Sequence, residues 1–125
     1  MRLNPDCIRD LLLTVEENTS FSQVMYYNRK EENDYNLLQR YNDEEISYHI
    51  RQCNLYGFFT RISWTSAHCT IEDLTPLGHE FLANIRLNTN WNKTKEVASK
   101  VGSTSINVLT EIASNVITNL ISNNF

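Results

Sequence analysis

Apolar residues return every three or four positions at the start of the chain, at Ile8, Leu11, Leu12 and Val15. That spacing predicts a helix with one buried face. Asn4 is placed to cap it, Pro5 suits its first position, and Asp6 complements the positive end of its dipole. Asn18, Thr19 and Ser20 end it. The aromatic and β-type run Phe21 to Tyr27 reads as a short strand, and Arg29 to Asp34 as a charged turn. Leu37, Leu38 and Tyr41 suggest a short second helix. Asn42 and Glu45 have capping-box spacing, and Ile46, His49, Ile50 and Cys53 form one stripe of the helix that follows. Gly57 ends that helix in the left-handed conformation.

Alternation then replaces helical spacing. Phe58, Thr60, Ile62 and Trp64 alternate with Phe59, Arg61 and Ser63, which predicts a strand. Thr65 to His68 is a polar tip, and Cys69 to Leu74 a return strand. Thr75 and Pro76 open another helix, with Leu77, Phe81, Leu82 and Ile85 on its buried side. Asn88, Thr89 and Asn90 read as a break. Trp91 to Lys100 reads as a short helix closed by Gly102, and Ser103 to Ser105 cap a last helix running to about Ser122. The expected class is mainly α with a small β-hairpin (α+β). Helix, short strand, helix, capped helix, hairpin, helix is the winged helix-turn-helix order, with C-terminal helices appended. Residues 1–88 read as that domain and 89–125 as a helical extension for packing or dimerisation.

Composition narrows the chemistry. The 125 residues carry 41% hydrophobic and 21% charged side chains, enough for a packed core. Three glycines exclude a Gly-rich phosphate loop. Three widely spaced cysteines are no disulfide framework, and the reading is reduced thiols in a cytoplasmic protein. The N-terminus has no apolar run of the secretory type. No stretch approaches the roughly 20 apolar residues of a membrane span, so no membrane partner is expected. The net charge is −4, and placing it along the chain sharpens it. Met1 to Tyr56 holds 6 basic and 10 acidic residues, while Gly57 to Phe125 holds 5 of each.

Four segments carry a family resemblance: NPDCIRDLLLTVEENT, YHIRQCNLYGFF, LTPLGHEFLANIR and WNKTKEVASKVGS. Together they resemble a family of short winged-helix proteins of unknown function, common on phages, prophages and mobile elements of bacteria. The likeness runs from about Asn4 to about Leu120. It implies a winged-helix fold and a phage-type context, hence the cytoplasm of a bacterial host, with no catalytic residues, cofactor or defined ligand. The chain departs from many relatives at Thr65 to His68 and at Asn123 to Phe125.

By position, the helix from Asp43 to Tyr56 is the recognition helix of such a fold. Tyr48, Arg51, Gln52 and Asn54 face outward on it, and Arg61 on the hairpin joins them as a candidate nucleic-acid contact. Asp43, Glu44 and Glu45 at its start oppose a polyanion, or act only as cap and dipole partners. Arg86, Lys93, Lys95 and Lys100 form a basic cluster beside Trp91, opposed by Glu96. It is a phosphate track or, more simply, a solvated helix face over a buried Trp91. Ile106, Leu109, Ile112, Val116 and Leu120 form a wide stripe on the last helix, a candidate homodimer face.

His49 and Cys53 lie one turn apart, but no C-x-x-C or H-x-x-x-H pair supports a metal, and core packing accounts for both. Nothing gathers a nucleophile with a base, so no enzyme is expected. Two readings remain. One is a dimeric regulator that binds double-stranded DNA. The other is a module that binds a host or defence protein through its acidic surface.

Overall fold

The computed structural model describes residues 1–125 and is an α+β fold of five helices and a three-stranded antiparallel sheet. In order come α1 (Pro5–Asn18), β1 (Met25–Asn28), a 3-10 turn (Asn36–Leu38), α2 (Asp43–Tyr56) and β2 (Phe59–Trp64). Then follow β3 (His68–Leu74), α3 (Pro76–Ile85), α4 (Asn88–Val101) and α5 (Ile106–Asn124). The sheet order is β1-β3-β2. No helix is long and apolar enough to cross a membrane.

The caps form as their residue types require. The Asn4 side chain accepts the Asp6 N–H, and Asn42 with Glu45 closes a reciprocal capping box. Thr75 Oγ1 accepts the Gly78 N–H, and Ser105 accepts the Val108 N–H. Gly57 ends α2 at φ +97°; its N–H reaches the Asn54 carbonyl and the Phe58 N–H reaches the Cys53 carbonyl. This paired motif satisfies the last carbonyls of the helix and turns the chain directly into β2.

α1 is the hub, packing against α2, α3, β3 and the 3-10 turn. Its apolar face joins one core that runs through every helix and the sheet, so residues 1–88 and 89–125 share a single interior. Its polar residues tie down the other elements. Arg9 donates to the Ile85 carbonyl at 3.0 Å and to the Arg86 carbonyl at 2.6 Å, capping the end of α3. Asp10, almost fully buried, accepts from Arg40 at 2.6 Å and from the Tyr41 hydroxyl at 2.7 Å. His49 is buried on α2. The Asn4 N–H donates to its Nε2 at 2.8 Å, so the proton sits on Nδ1, which donates to the Glu45 carbonyl. No buried side-chain polar atom lacks a partner.

Several expectations are corrected. β1 begins at Met25, because Ser20 and Gln23 exchange backbone hydrogen bonds and throw Phe21 out at the turn's tip, fully exposed. Leu37 and Leu38 close only one 3-10 turn instead of a helix. Leu77 is 41% exposed, since Gly78 takes the buried place at the start of α3. Asn88, Thr89 and Asn90 begin α4 instead of breaking the chain. Strict alternation in β2 fails at Arg61, whose φ of +37° is left-handed, so both Phe59 and Ile62 turn inward. α5 extends to Asn124.

The start of α3 presses onto the corner between α2 and β2. The Thr75 hydroxyl donates to the Gly57 carbonyl, and the Thr75 N–H donates to the Phe58 carbonyl at 2.8 Å. A Cβ on Gly78 would lie 2.5 Å from the Phe58 carbonyl oxygen, far inside contact distance. Phe58 itself is fully buried, its ring stacked on Phe81 at 5.3 Å. Gly78→Ala should therefore lower stability by about 1–3 kcal/mol through overpacking, read as a lower urea midpoint; an unchanged midpoint contradicts the close approach.

Acid sensitivity follows from the bridging carboxylates. Burial alone would raise Asp6, but hydrogen bonds from Lys95 and Trp91 outweigh it and hold the carboxyl below its ordinary range. Arg86 lowers Glu16 in the same direction. Both groups therefore stabilise the fold above their unfolded pKa, about 4, and that stability is lost as pH falls through the lower folded values. The urea midpoint should hold from about pH 6 to 5 and fall below about pH 4. A midpoint indifferent to that acidification contradicts the pairing.

Candidate nucleic-acid interface

α2 and β2 diverge from the Gly57 corner, and a groove opens between the exposed face of the helix and the far end of the strand. It is about 260 Å³ and is lined by Met1, Arg29, Glu44, Ser47, Tyr48, Arg51 and Trp64. Tyr48 and Arg51 stand one turn apart on α2, since positions three apart share a helix face. Trp64 arrives from the end of β2 and is 39% exposed. Tyr48 is half-buried, its ring edge-on to the anchored His49 ring at 5.2 Å. Arg51 is exposed and has no carboxylate within ion-pair distance.

The acidic start of α2 is largely spent inside the protein. Asp43 accepts from the Tyr27 hydroxyl at 2.9 Å, from Ser47 at 3.0 Å and from the Arg29 guanidinium at 3.1 Å. Burial works to raise its pKa, but those hydrogen bonds outweigh it and hold the carboxyl below its ordinary range. Glu45 is committed to the capping box. Glu44, 80% exposed and 4.0 Å from Arg29, is the carboxylate that faces the groove. Arg29 is set in place by its backbone as well, its N–H donating to the Ala67 carbonyl at the hairpin tip at 2.7 Å.

The five candidate contacts do not gather at one place. Tyr48 and Arg51 meet in the groove. Gln52 lies on a second, apolar groove beside Leu55, and Asn54 lines neither. Arg61 belongs to the outer face of the sheet, beside Phe21, Ser63 and Thr70, and pairs with Glu72 at 3.4 Å. Met1, Arg29 and Trp64 are the groove residues that sequence reasoning missed. Trp64 carried a signal, an aromatic ending an alternating strand just before a polar tip. Arg29 carried none, because its place depends on the pairing of β1 with β3.

The basic cluster finds carboxylate partners within the chain. Arg86 binds Glu16 with its Nη1 at 2.8 Å, and Lys95 binds Asp6 at 2.9 Å. Lys93 and Lys100 share Glu96 at 3.9 and 3.2 Å. α1 thus brings two carboxylates to a cluster that seemed opposed by Glu96 alone. Trp91 is buried and donates its indole N–H to Asp6 at 2.9 Å. Arg40 and Arg29 are likewise paired, and Arg9 is spent on carbonyls. Of the eleven lysines and arginines, Arg2, Lys30 and Arg51 are left without such a partner. Arg51 lines the groove, whereas Lys30 lies in the neighbouring cleft with Glu31 and Glu32.

The candidate dimer stripe divides. Ile106, Leu109 and Ile112 are buried in the chain's own core against α3 and α4, so they offer nothing to a partner. Val116 is half-buried and Leu120 is exposed. Both nitrogens of His49 are occupied, and burial pushes the Cys7 and Cys69 thiols up to about 12 and that of Cys53 higher still.

No curated protein and no solved structure matches the chain. A family model does match, over residues 2–105, from the segment before α1 to the N-cap of α5. The chain belongs to the family described as "Hypothetical protein (DUF2513)".

Proposed function

We propose that this chain is a non-enzymatic winged-helix protein of phage type that works inside a bacterial host, binding duplex DNA through the α2–β2 groove as a two-copy regulator. The observation that carries the reading is the fate of its cations. Pairing within the chain occupies most of the others and leaves Arg51, which lines the groove, without a carboxylate partner. Unpaired arginines and lysines are what phosphate contacts require, because each must release counterions from the DNA. The element order from α1 to α3 supports the winged-helix assignment, with α2 as the recognition helix and β2–β3 as the wing. The sequence resemblance to phage and prophage proteins supports the context. Tyr48 and Arg51 are the side chains that reach base edges, and Trp64 packs against the sugar–phosphate backbone.

A second reading draws on the acidic loop after β1. Glu31, Glu32 and Asp34 follow β1 with no basic side chain within ion-pair distance. That acidic loop suits a basic protein partner of the host. The two readings place their contacts on different residues and separate by mutation.

Fluorescence anisotropy with duplex fragments from the region of its own gene should show binding that weakens steeply with salt. Arg51→Ala should weaken it about tenfold and reduce the salt slope by about one. A Glu31→Gln, Glu32→Gln variant should bind as the parent does or slightly better. Absence of any fragment bound at low salt defeats the DNA reading, as does an Arg51→Ala variant that binds unchanged.

A further inference from the structure

Arg29 is paired, but the pairing leaves part of it free. A guanidinium carries five N–H donors in a flat fork. Its Nε donates to Asp43 at 3.4 Å and its Nη2 to the same carboxylate at 3.1 Å, so Asp43 holds the fork by one side. The Glu44 carboxylate lies 4.0 Å from Nη2. Nη1 donates to nothing within the chain, and with the second Nη2 proton it leaves a whole edge of the fork open.

That open edge belongs to a side chain fixed at both ends. The backbone N–H of Arg29 is held by the Ala67 carbonyl at the hairpin tip. Its guanidinium is held by Asp43, which is itself held by the Tyr27 hydroxyl at 2.9 Å and by Ser47 at 3.0 Å. The Arg29 side chain is nonetheless 28% exposed, and it lines the same groove as Arg51. Two guanidinium groups therefore reach one groove, one oriented in advance and the other with no carboxylate partner.

We infer that Arg29 and Arg51 together bind one phosphate group in this groove, with Asp43 as the positioning residue that aims Arg29 at it. Arginine forks meet phosphate oxygens through paired N–H donors, and such charge-assisted bonds are the strong ones. A guanidinium already held in place loses less freedom on binding than a free one. The inference rests on the groove reading above and names the chemistry the groove takes, a phosphate group, whether in the backbone of a duplex or free in solution. It gives the two carboxylates near Arg29 opposite roles. Asp43 aids an incoming anion because it orients the fork. Glu44 opposes the anion by its charge alone.

NMR of the arginine Nε–H signals of the full chain, titrated with inorganic phosphate at constant ionic strength, tests it. The Arg29 and Arg51 signals should move together, with one apparent affinity, while those of Arg9, Arg40 and Arg86 stay still. Acetate in the same amounts should move them far less. Asp43→Asn should weaken phosphate binding about fivefold although it removes a negative charge, and Glu44→Gln should tighten it. The new amide oxygen can still accept from Tyr27 and Ser47, so helical circular dichroism should not change. Arg29→Lys, which keeps the charge and loses the fork, should weaken binding as well. An Arg29 signal that ignores phosphate overturns the inference, as does an equal response to acetate. So does an Asp43→Asn variant that binds as tightly as the parent or tighter, which is what charge alone gives, or an Arg29→Lys variant that binds unchanged. Anisotropy with duplex DNA on the same proteins separates the two sources. Phosphate bound at Arg29 with no duplex bound strikes the function proposed above and leaves the two-arginine site standing.

Discussion

Gly78 lies so close to the Phe58 carbonyl that a side-chain carbon there would sit at 2.5 Å. That approach lets the first turn of α3 rest on the corner where α2 becomes β2. Thr75 fastens the corner from the same turn, donating its hydroxyl to Gly57 and its N–H to Phe58. Gly57 supplies the left-handed turn that makes the corner sharp. Phe58, locked beneath it against Phe81, prevents the two elements from splaying. The angle between α2 and β2 is thus set by backbone packing at one end, and the groove at the other end inherits it. Tyr48, Arg51 and Trp64 then need no contact with one another to hold their relative positions.

Electrostatics follows the same economy. The chain is acidic overall, and its first half is more so, yet charge counting misjudges the surface. Asp43 is turned inward by Tyr27, Ser47 and Arg29, and Glu45 is folded into the cap. Asp6 and Glu16 on α1 take up Lys95 and Arg86. These pairings stitch α1 to the elements around it, and they also decide which charges remain for solvent. Arg51 remains unpaired in the groove beside Glu44, while Glu31, Glu32 and Asp34 remain unpaired on the loop after β1. A net charge of −4 therefore describes neither surface.

Most of the fold was legible in the sequence because its signals are local. A capping box, a Gly after a helical stripe and Thr-Pro before one all act within a few residues, and each formed as read. Failures arose where distant parts of the chain decide. Asn88 to Asn90 looked like a break, but Arg9 of α1 caps α3 and lets α4 begin at once. Leu77 looked buried until Gly78 took its place against Phe58. The site was legible only in its helical half. Spacing placed Tyr48 and Arg51 together, whereas Arg29 and Trp64 joined them through sheet pairing. The stripe on α5 was visible, but periodicity alone does not tell which half covers the chain's own core.

The most direct test is a map of where duplex DNA touches the protein. In a nitrogen–proton NMR titration, the account predicts shifts at the backbone amides of Tyr48 and Arg51 and at the indole N–H of Trp64. The buried indole of Trp91, held by Asp6, should stay still. Shifts gathered instead on the outer sheet face around Arg61 and Phe21, or none at all at low salt, would contradict it.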